Sequence, residues 1–527
     1  MMEHQAASSS RWSRRSVLGV LAAAPFVTGG VLAAPGAAHV GTGGTARLET
    51  RIREIMGRAD FQGCRWGLTF RPLGSDKAVF ALNSDQLFIP GSTYKIFPGA
   101  TVFSAFGAGH RFRTRIFRTG PIIKGVVKGD LIVVASGDLL MGGRIQRDGS
   151  LALPDLDHTF SEGNPLPGDP LRTLKDLARR VKARGVRRVE GRIRVDASLF
   201  REGEEDLFDN GIHIPVTPMM LNDNVVDVTV TPGPRAGATA GLRLSPDVGY
   251  VRITNEVVTV AEGATARPLR FVDDVAAADG TRRVRLTGDI PVTTRQRFVP
   301  YHVRGPARFA EMAFAMALAD AGITAEAGRS RPGKARHLLA EYVSPPMSEQ
   351  VKPMLKVSSN VHTLHFPYLT GGIAEGDTEH PERRGEQLQA ELLRKAGLRG
   401  DLPDQARGLY TPDFFVAFLE YVSRRRYFSP FVHALPILGR DGSLQEVQPD
   451  ASAAGHVFAK TGTAGTMNPA TGKPVLSKGL AGYIRLPGGR WLGFAEFVEK
   501  PEAPFTWQYA AGDVLGEIAA VVYEELS

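Results

Sequence analysis

The sequence predicts a mixed α/β (α+β) protein, helical and stranded at its two ends and β-rich in its middle. Three observations predict it. A helical pattern, a strand pair and a second helix start follow one another between Leu48 and Lys95. From Arg113 to Gly333 the chain breaks into short β-like runs separated by Gly, Pro and Asp. Near the C-terminus, strand-like runs lead into a helix. With 527 residues, 43% of them hydrophobic, the chain exceeds what one core holds, so two or three cores are expected.

Residues 1–38 read as an export signal. Ser13-Arg14-Arg15-Ser16-Val17-Leu18 opens an apolar run to Val31, and small residues from Ala33 to Ala38 offer cleavage sites. The paired arginines resemble a twin-arginine signal. The run is short for a membrane span, and no later stretch is apolar enough to anchor the chain, so a soluble exported protein is expected. The formal charge is +9, of which that segment holds +2, leaving +7 to meet an anionic envelope polymer or substrate. Arg179, Arg180, Lys182, Arg184, Arg187 and Arg188 flank an ordinary helix and turn; a solvated face explains them better than a nucleic-acid site. A single cysteine, Cys64, excludes an internal disulfide framework and is expected to be a buried spectator.

The mature chain opens with a helix near Leu48–Met56. A strand at Arg65–Arg71, a Pro-Gly turn and a return strand at Ala78–Leu82 follow. A helix begins at Gly91, with Pro98 expected to kink it. In the middle, Asp130–Val134 and Arg192–Val195 read as buried strands and Leu171–Lys182 as a helix. Asn224–Val230, Val251–Ile253 and Arg283–Leu286 form a β-rich section, and Pro306–Ala321 is a helix with proline in its first turn and Gly322 at its end. Beyond Ser344 helices return at Arg383–Ala396 and Pro412–Arg424. Strands then follow at His456–Ala459, Leu480–Leu486 and Trp491–Val498, and a last helix at Asp513–Leu526.

Three short motifs carry chemistry. In Gly91-Ser92-Thr93-Tyr94-Lys95 a helical turn sets the Ser92 hydroxyl and the Lys95 amine on one face, where a lysine desolvated enough to lose its charge can take the serine's proton. Ser358 and Asn360, two residues apart in Ser358-Ser359-Asn360, can relay a proton and hold a substrate amide from a loop. In Lys460-Thr461-Gly462-Thr463, Lys460 and Thr461 can present a cation and a hydroxyl to a carboxylate, while Gly462 permits close approach.

Together, in this order, these match the Ser-x-x-Lys, Ser-Asp-Asn and Lys-Thr-Gly signature of penicillin-binding proteins and class A β-lactamases. The chain resembles the D-alanyl-D-alanine carboxypeptidase/endopeptidase family of low-molecular-weight, class C penicillin-binding proteins (peptidase S13), which carries a long insertion between its first two motifs. Phe106-Gly107, Arg111-Phe112-Arg113-Thr114, Gly129-Asp130-Leu131, Gly137-Asp138, Leu221-Asn222-Asp223-Asn224-Val225-Val226, Leu435-Pro436 and Asp441-Gly442-Ser443 extend the likeness over nearly the whole mature chain. The resemblance implies a penicillin-recognising, β-lactamase/transpeptidase-like domain from residues 45–112 and 340–527. An inserted domain would be built from 113–205 and 288–339, with a β-rich domain, 206–287, nested in it. It implies Ser92 as acylated nucleophile, Lys95 as base, Ser358 and Asn360 as proton relay and peptide holder, and Lys460, Thr461, Gly462 and Thr463 as the substrate-binding strand. Backbone N–H groups of Ser92 and Thr463 would form the oxyanion hole.

No metal or organic cofactor is implied, and the partners are peptidoglycan peptides and β-lactams, with no nucleic acid and no transmembrane anchor. A β-lactamase or related esterase on the same scaffold is the competing reading, and an inactive wall-binding protein a third. No Glu-x-x-Leu-Asn of the class A kind stands between Ser358 and Lys460, which argues against the β-lactamase, and every motif residue with a chemical role is present, which argues against the inactive protein.

Overall fold

A five-stranded antiparallel sheet joins the two ends of the chain in the order Val457–Met467, Pro474–Arg485, Trp491–Pro501, Arg65–Pro72, Phe80–Leu82. The computed structural model describes residues 44–154, 156–160, 163–207, 212–325, 336–398, 408–467 and 472–527, so the expected export segment lies outside the described residues. Strand alternation sends Phe494 and Val498 to one face of the sheet and Ala495 and Phe497 to the other. On the first face the helices Gly44–Met56 and Trp507–Leu526 bury Leu48, Ile52, Leu515 and Ile518. On the second lie the helices Ile96–Phe106 and Pro412–Ser423, with Phe97 ring centroids 4.9 Å from both Phe415 and Phe418. Each such buried ring contributes about 1.5–3 kcal/mol over its exposed state.

The expected kink at Pro98 does not form. Gly91–Lys95 is a 3-10 turn and the α-helix starts only at Ile96, so Pro98 falls in its first turn, where backbone N–H groups have no intrahelical acceptor to lose. Asn360, placed in a loop by the sequence, is the first residue of the helix Asn360–Leu369. Arg192–Val195 was expected to be a buried strand; the strand is Ile193–Asp196, and it is only partly buried because it lies at the edge of its sheet. Cys64 is half-buried rather than buried, and desolvation lifts its thiol to about 11, which leaves it protonated and inert.

In the middle of the chain, Arg113–Arg118 pairs antiparallel with His337–Val343, so the polypeptide leaves and returns side by side. Leu131–Val134 and Ile193–Asp196 complete that sheet. The helices Arg172–Ala183 and Pro306–Asp320 share a separate core with it through Leu174, Leu177, Phe309 and Phe314. Val225–Thr231 lies between Gly241–Ser245 and Arg297–His302, and Val251–Val260 runs parallel to Arg282–Pro291. The expected cuts at 205/206 and 287/288 both fall inside strands, Gly203–Asp206 and Arg282–Pro291, and the pairing of Arg297–His302 with Val225–Thr231 crosses the second cut. Hydrogen-bonded ladders follow pairing partners that composition does not reveal.

Glu496 stands in the centre of the large sheet, opposite Leu68 and Leu480 and fully buried, and neither of its oxygens has a hydrogen-bond partner among the described residues. Burial raises its pKa well above the ordinary value of 4.5, so the folded state holds the acid neutral and binds more protons than the unfolded chain. Stability is therefore greatest below that ordinary value and falls as pH rises through it. Glu496→Leu is expected to stabilise the fold at neutral pH by about 1–3 kcal/mol and to flatten this decline. Urea denaturation across pH tests it; a less stable Glu496→Leu with an unchanged slope would show that the carboxyl has a stabilising partner.

Candidate active site

The 3-10 turn Gly91–Lys95 has three residues per turn, so Ser92 and Lys95 share one face. Ser92 is half-buried, hence reachable, whereas the Lys95 side chain is sunk to 5% exposure. Lys95 Nζ lies 2.5 Å from the Ser358 carbonyl oxygen and 3.2 Å from Ser358 Oγ, and it donates to Asn360 Oδ1. The first two motifs, 263 positions apart for Lys95 and Ser358, thus meet at one amine. Burial lowers the Lys95 pKa to about 7, against the pull of Asp157. A neutral amine has two N–H donors, which the Ser358 carbonyl and the Asn360 Oδ1 absorb because neither can donate, and one lone pair, which only a hydroxyl can meet. Ser92 Oγ makes no side-chain hydrogen bond among the described residues, so the expected Ser92–Lys95 contact is not formed here. Such contacts can tighten only when substrate arrives.

Ser358 has a φ of 61°, a left-handed conformation uncommon for serine. That backbone turns its carbonyl toward Lys95 immediately before the Asn360 helix begins.

The third motif lies on the edge strand Val457–Met467. Two glycines let this strand touch the 3-10 turn. A Cβ on Gly462 would stand 2.2 Å from the Pro90 carbonyl oxygen, and one on Gly91, at φ 51°, would stand 2.7 Å from the Thr463 carbonyl oxygen. The backbone of Gly91, which leads directly into Ser92, is therefore packed on Thr463 across a contact that no side chain fits. Lys460 is fully buried, its Nζ donating to the Thr461 carbonyl at 2.8 Å. Burial, then the charges of Lys95 and Lys478, push its pKa well below the usual lysine value. The cation expected from the sequence is thus disfavoured by its surroundings, and an anion beside it would favour the proton.

Sequence reasoning missed the groups that hold these residues. Ser443 Oγ lies 2.8 Å from Thr461 Oγ1, and Lys478 Nζ donates to Thr463 Oγ1 at 2.7 Å. Lys356 Nζ bonds Asp441 at 2.6 Å and the Leu435 carbonyl at 2.7 Å, clamping the approach to the second motif onto the loop that carries Ser443. Asp441-Gly442-Ser443 was visible as a likeness, but its contacts were not. Asp157 gave no signal at all.

Residues 48–511 match the D-Ala-D-Ala carboxypeptidase 3 (S13) family, nearly the whole described chain. The chain belongs to that family. A penicillin-sensitive carboxypeptidase A of Dictyostelium discoideum is 21% identical over 84% of this chain and 86% of its own length. The D-alanyl-D-alanine carboxypeptidase DacB of Haemophilus influenzae is 20% identical over 83% and 86%. The crystal structure of penicillin binding protein 4 (dacB) from H. influenzae superposes with a TM-score of 0.63 at 18% identity, covering 90% of this chain and 99% of that one. The S13 fold is therefore shared almost end to end, and the chain is a serine-type D-Ala-D-Ala carboxypeptidase by family.

Gly462→Ala tests whether the close approach of strand and turn matters. The added Cβ forces the edge strand away from Pro90, with an expected cost of about 1–3 kcal/mol in stability. Acylation of the site by a fluorescent penicillin should fall by roughly a hundredfold. Acylation at the wild-type rate would mean that the strand need not be held this close to the Gly91–Lys95 turn.

Proposed function

We propose that Ser92 is the nucleophile of a D,D-peptidase that releases terminal D-alanine from peptidoglycan stem peptides or cuts D-alanyl crosslinks through an acyl-enzyme. The observation that carries this reading is the burial of Lys95 against Ser358 and Asn360, with its pKa brought to about 7 beside a reachable serine. The neutral Lys95 amine takes the Ser92 hydroxyl proton as Oγ attacks the carbonyl carbon of the penultimate D-alanine. The oxyanion accepts hydrogen bonds from the Ser92 and Thr463 N–H groups, whose proximity follows from the two glycine contacts. As the carbonyl–nitrogen bond breaks, the proton passes from Lys95 through Ser358 Oγ to the departing amine. Water then cleaves the Ser92 ester and restores the serine.

Lys460 and Thr461 hold the terminal carboxylate. An arriving anion offsets the burial that disfavours the Lys460 cation, so binding favours the protonated amine. The export signal expected in residues 1–38 and the +7 charge of the remainder support action outside the cytoplasm, on an anionic wall polymer. Penicillins are taken at the same serine, in keeping with the H. influenzae relative, whose structure was also obtained in complex with a β-lactam. We assign the two chain ends to the catalytic unit and residues 113–339 to nested insertions.

Two outcomes are expected. Incubation with a fluorescent penicillin should give one covalent adduct by intact mass, absent in Ser92→Ala together with D-alanine release; labelling that survives the substitution refutes the assignment. Lys460→Ala should lose about 2–4 kcal/mol of transition-state stabilisation on acyl-D-Ala-D-Ala but much less on the analogue with an amidated terminus. Equal losses on both would give Lys460 another role.

A further inference from the structure

One carboxylate in this site belongs to none of the three motifs. Asp157, in the inserted part of the chain and 2% exposed, accepts a hydrogen bond from the Asn360 backbone N–H at 2.9 Å through Oδ2. Its Oδ1 accepts from the Thr159 N–H at 3.1 Å. Asn360 is the first residue of a ten-residue helix, so its N–H is one of the donors that helix geometry leaves without an internal acceptor. The helix dipole favours an anion at the same place. Asp157 therefore holds by its backbone the residue whose Oδ1 receives the Lys95 amine.

What anchors Asp157 is its neighbour in sequence. His158 is fully buried between two carboxylates, Nδ1 3.1 Å from Asp223 Oδ2 and Nε2 2.8 Å from Asp227 Oδ1. Arg144 closes on Asp223 with an Nη2–Oδ2 distance of 2.5 Å. Burial opposes a charge on His158, but the bonds to Asp223 and Asp227 prevail and lift its pKa to about 9. Two cations thus meet two anions, and the set is closed. Asp223 itself is the middle of three successive residues in left-handed backbone, Asn222, Asp223 and Asn224 at φ 53°, 54° and 52°. Such a run costs roughly 1–2 kcal/mol per residue, which the surrounding bonds must offset. Asp157, by contrast, forms no ion pair among the described residues, and its charge is left to act on the active site.

We propose that Asp157 is a positioning residue of this active site, fixing the Asn360 backbone and presenting a negative charge to the Lys95 amine. The inference rests on the reading of Lys95 as the base. The charged and titratable groups around that amine are few. Lys460 on the strand Val457–Met467 is the other amine nearby, and its own proton is disfavoured by burial and then by the charges of Lys95 and of Lys478 on Pro474–Arg485. His362 on the Asn360 helix is held neutral, its pKa lowered by burial to about 4, and the Lys356–Asp441 pair is closed on itself. Asp157 is the group that opposes burial and raises the pKa of Lys95. Taking its charge away leaves burial unopposed, so Lys95 becomes neutral at lower pH. The inserted segment thereby sets the pH at which the serine is acylated.

The test uses the full chain with Asp157→Asn, Asp157→Ser and Asp157→Glu, and follows the rate of Ser92 acylation by a fluorescent penicillin from about pH 5 to about pH 9, with a thermal melt of each variant. In the wild type the rate should rise with pH through about 7. The two neutral variants retain an acceptor for the Asn360 N–H but no charge, and should move this limb down by about one pH unit; Asp157→Glu should keep it in place. A merely structural residue would lower the melting temperature and leave the limb where it was. A limb unmoved in both neutral variants overturns the inference while leaving Lys95 as base. A wild type that is never labelled at Ser92 overturns the reading of the site, and the inference with it.

Discussion

The buried Lys95 amine is the constraint on which the rest of the structure depends. A lysine left in water stays charged and cannot take a proton from serine, so the role proposed for Lys95 requires water to be excluded from Nζ while its two N–H groups still find acceptors. The Ser358 carbonyl and the Asn360 side chain do this, and both come from a segment that the chain reaches only after the whole β-rich middle. The left-handed backbone of Ser358 and the helix starting at Asn360 are what aim them.

The large sheet supplies the other wall. Its edge strand lies so close to the Ser92 turn that glycine is required on both sides, at Gly91 and at Gly462. The sheet can hold that edge rigidly because its two faces are filled by separate cores, one under the terminal helices and one around the Phe97 cluster. Small shifts of this strand would move Thr463 relative to Ser92, and a rate that depends on oriented donors is sensitive to such shifts.

The middle of the chain is more than a spacer. Through Asp157 it reaches the first residue of the Asn360 helix, and through His158 the same loop is bonded to Asp223 and Asp227, which flank the start of the strand Val225–Thr231. A carboxylate from the middle of the chain is thus part of the electrostatic surroundings of Lys95.

The sequence by itself determined the chemistry on offer and most of the elements. Ser92 and Lys95 lie one turn apart and Lys460 to Thr463 lie on one strand, because helical and strand periodicity are local properties of the chain. Hydrophobic spacing likewise marked the helix Arg172–Ala183 to within a residue at each end and the end of Trp507–Leu526, whose start lies ahead of the expected Asp513. What only the tertiary structure decided is which of these groups meet and in what protonation state. The neutral tendency of Lys460, the lowered pKa of Lys95, the turn of Pro98 from kink to helix start and the arrival of Asp157 all depend on desolvation or on segments far apart in sequence. Local pattern carries no information about either, since a pKa is set by what surrounds a group in space rather than by what precedes it in the chain.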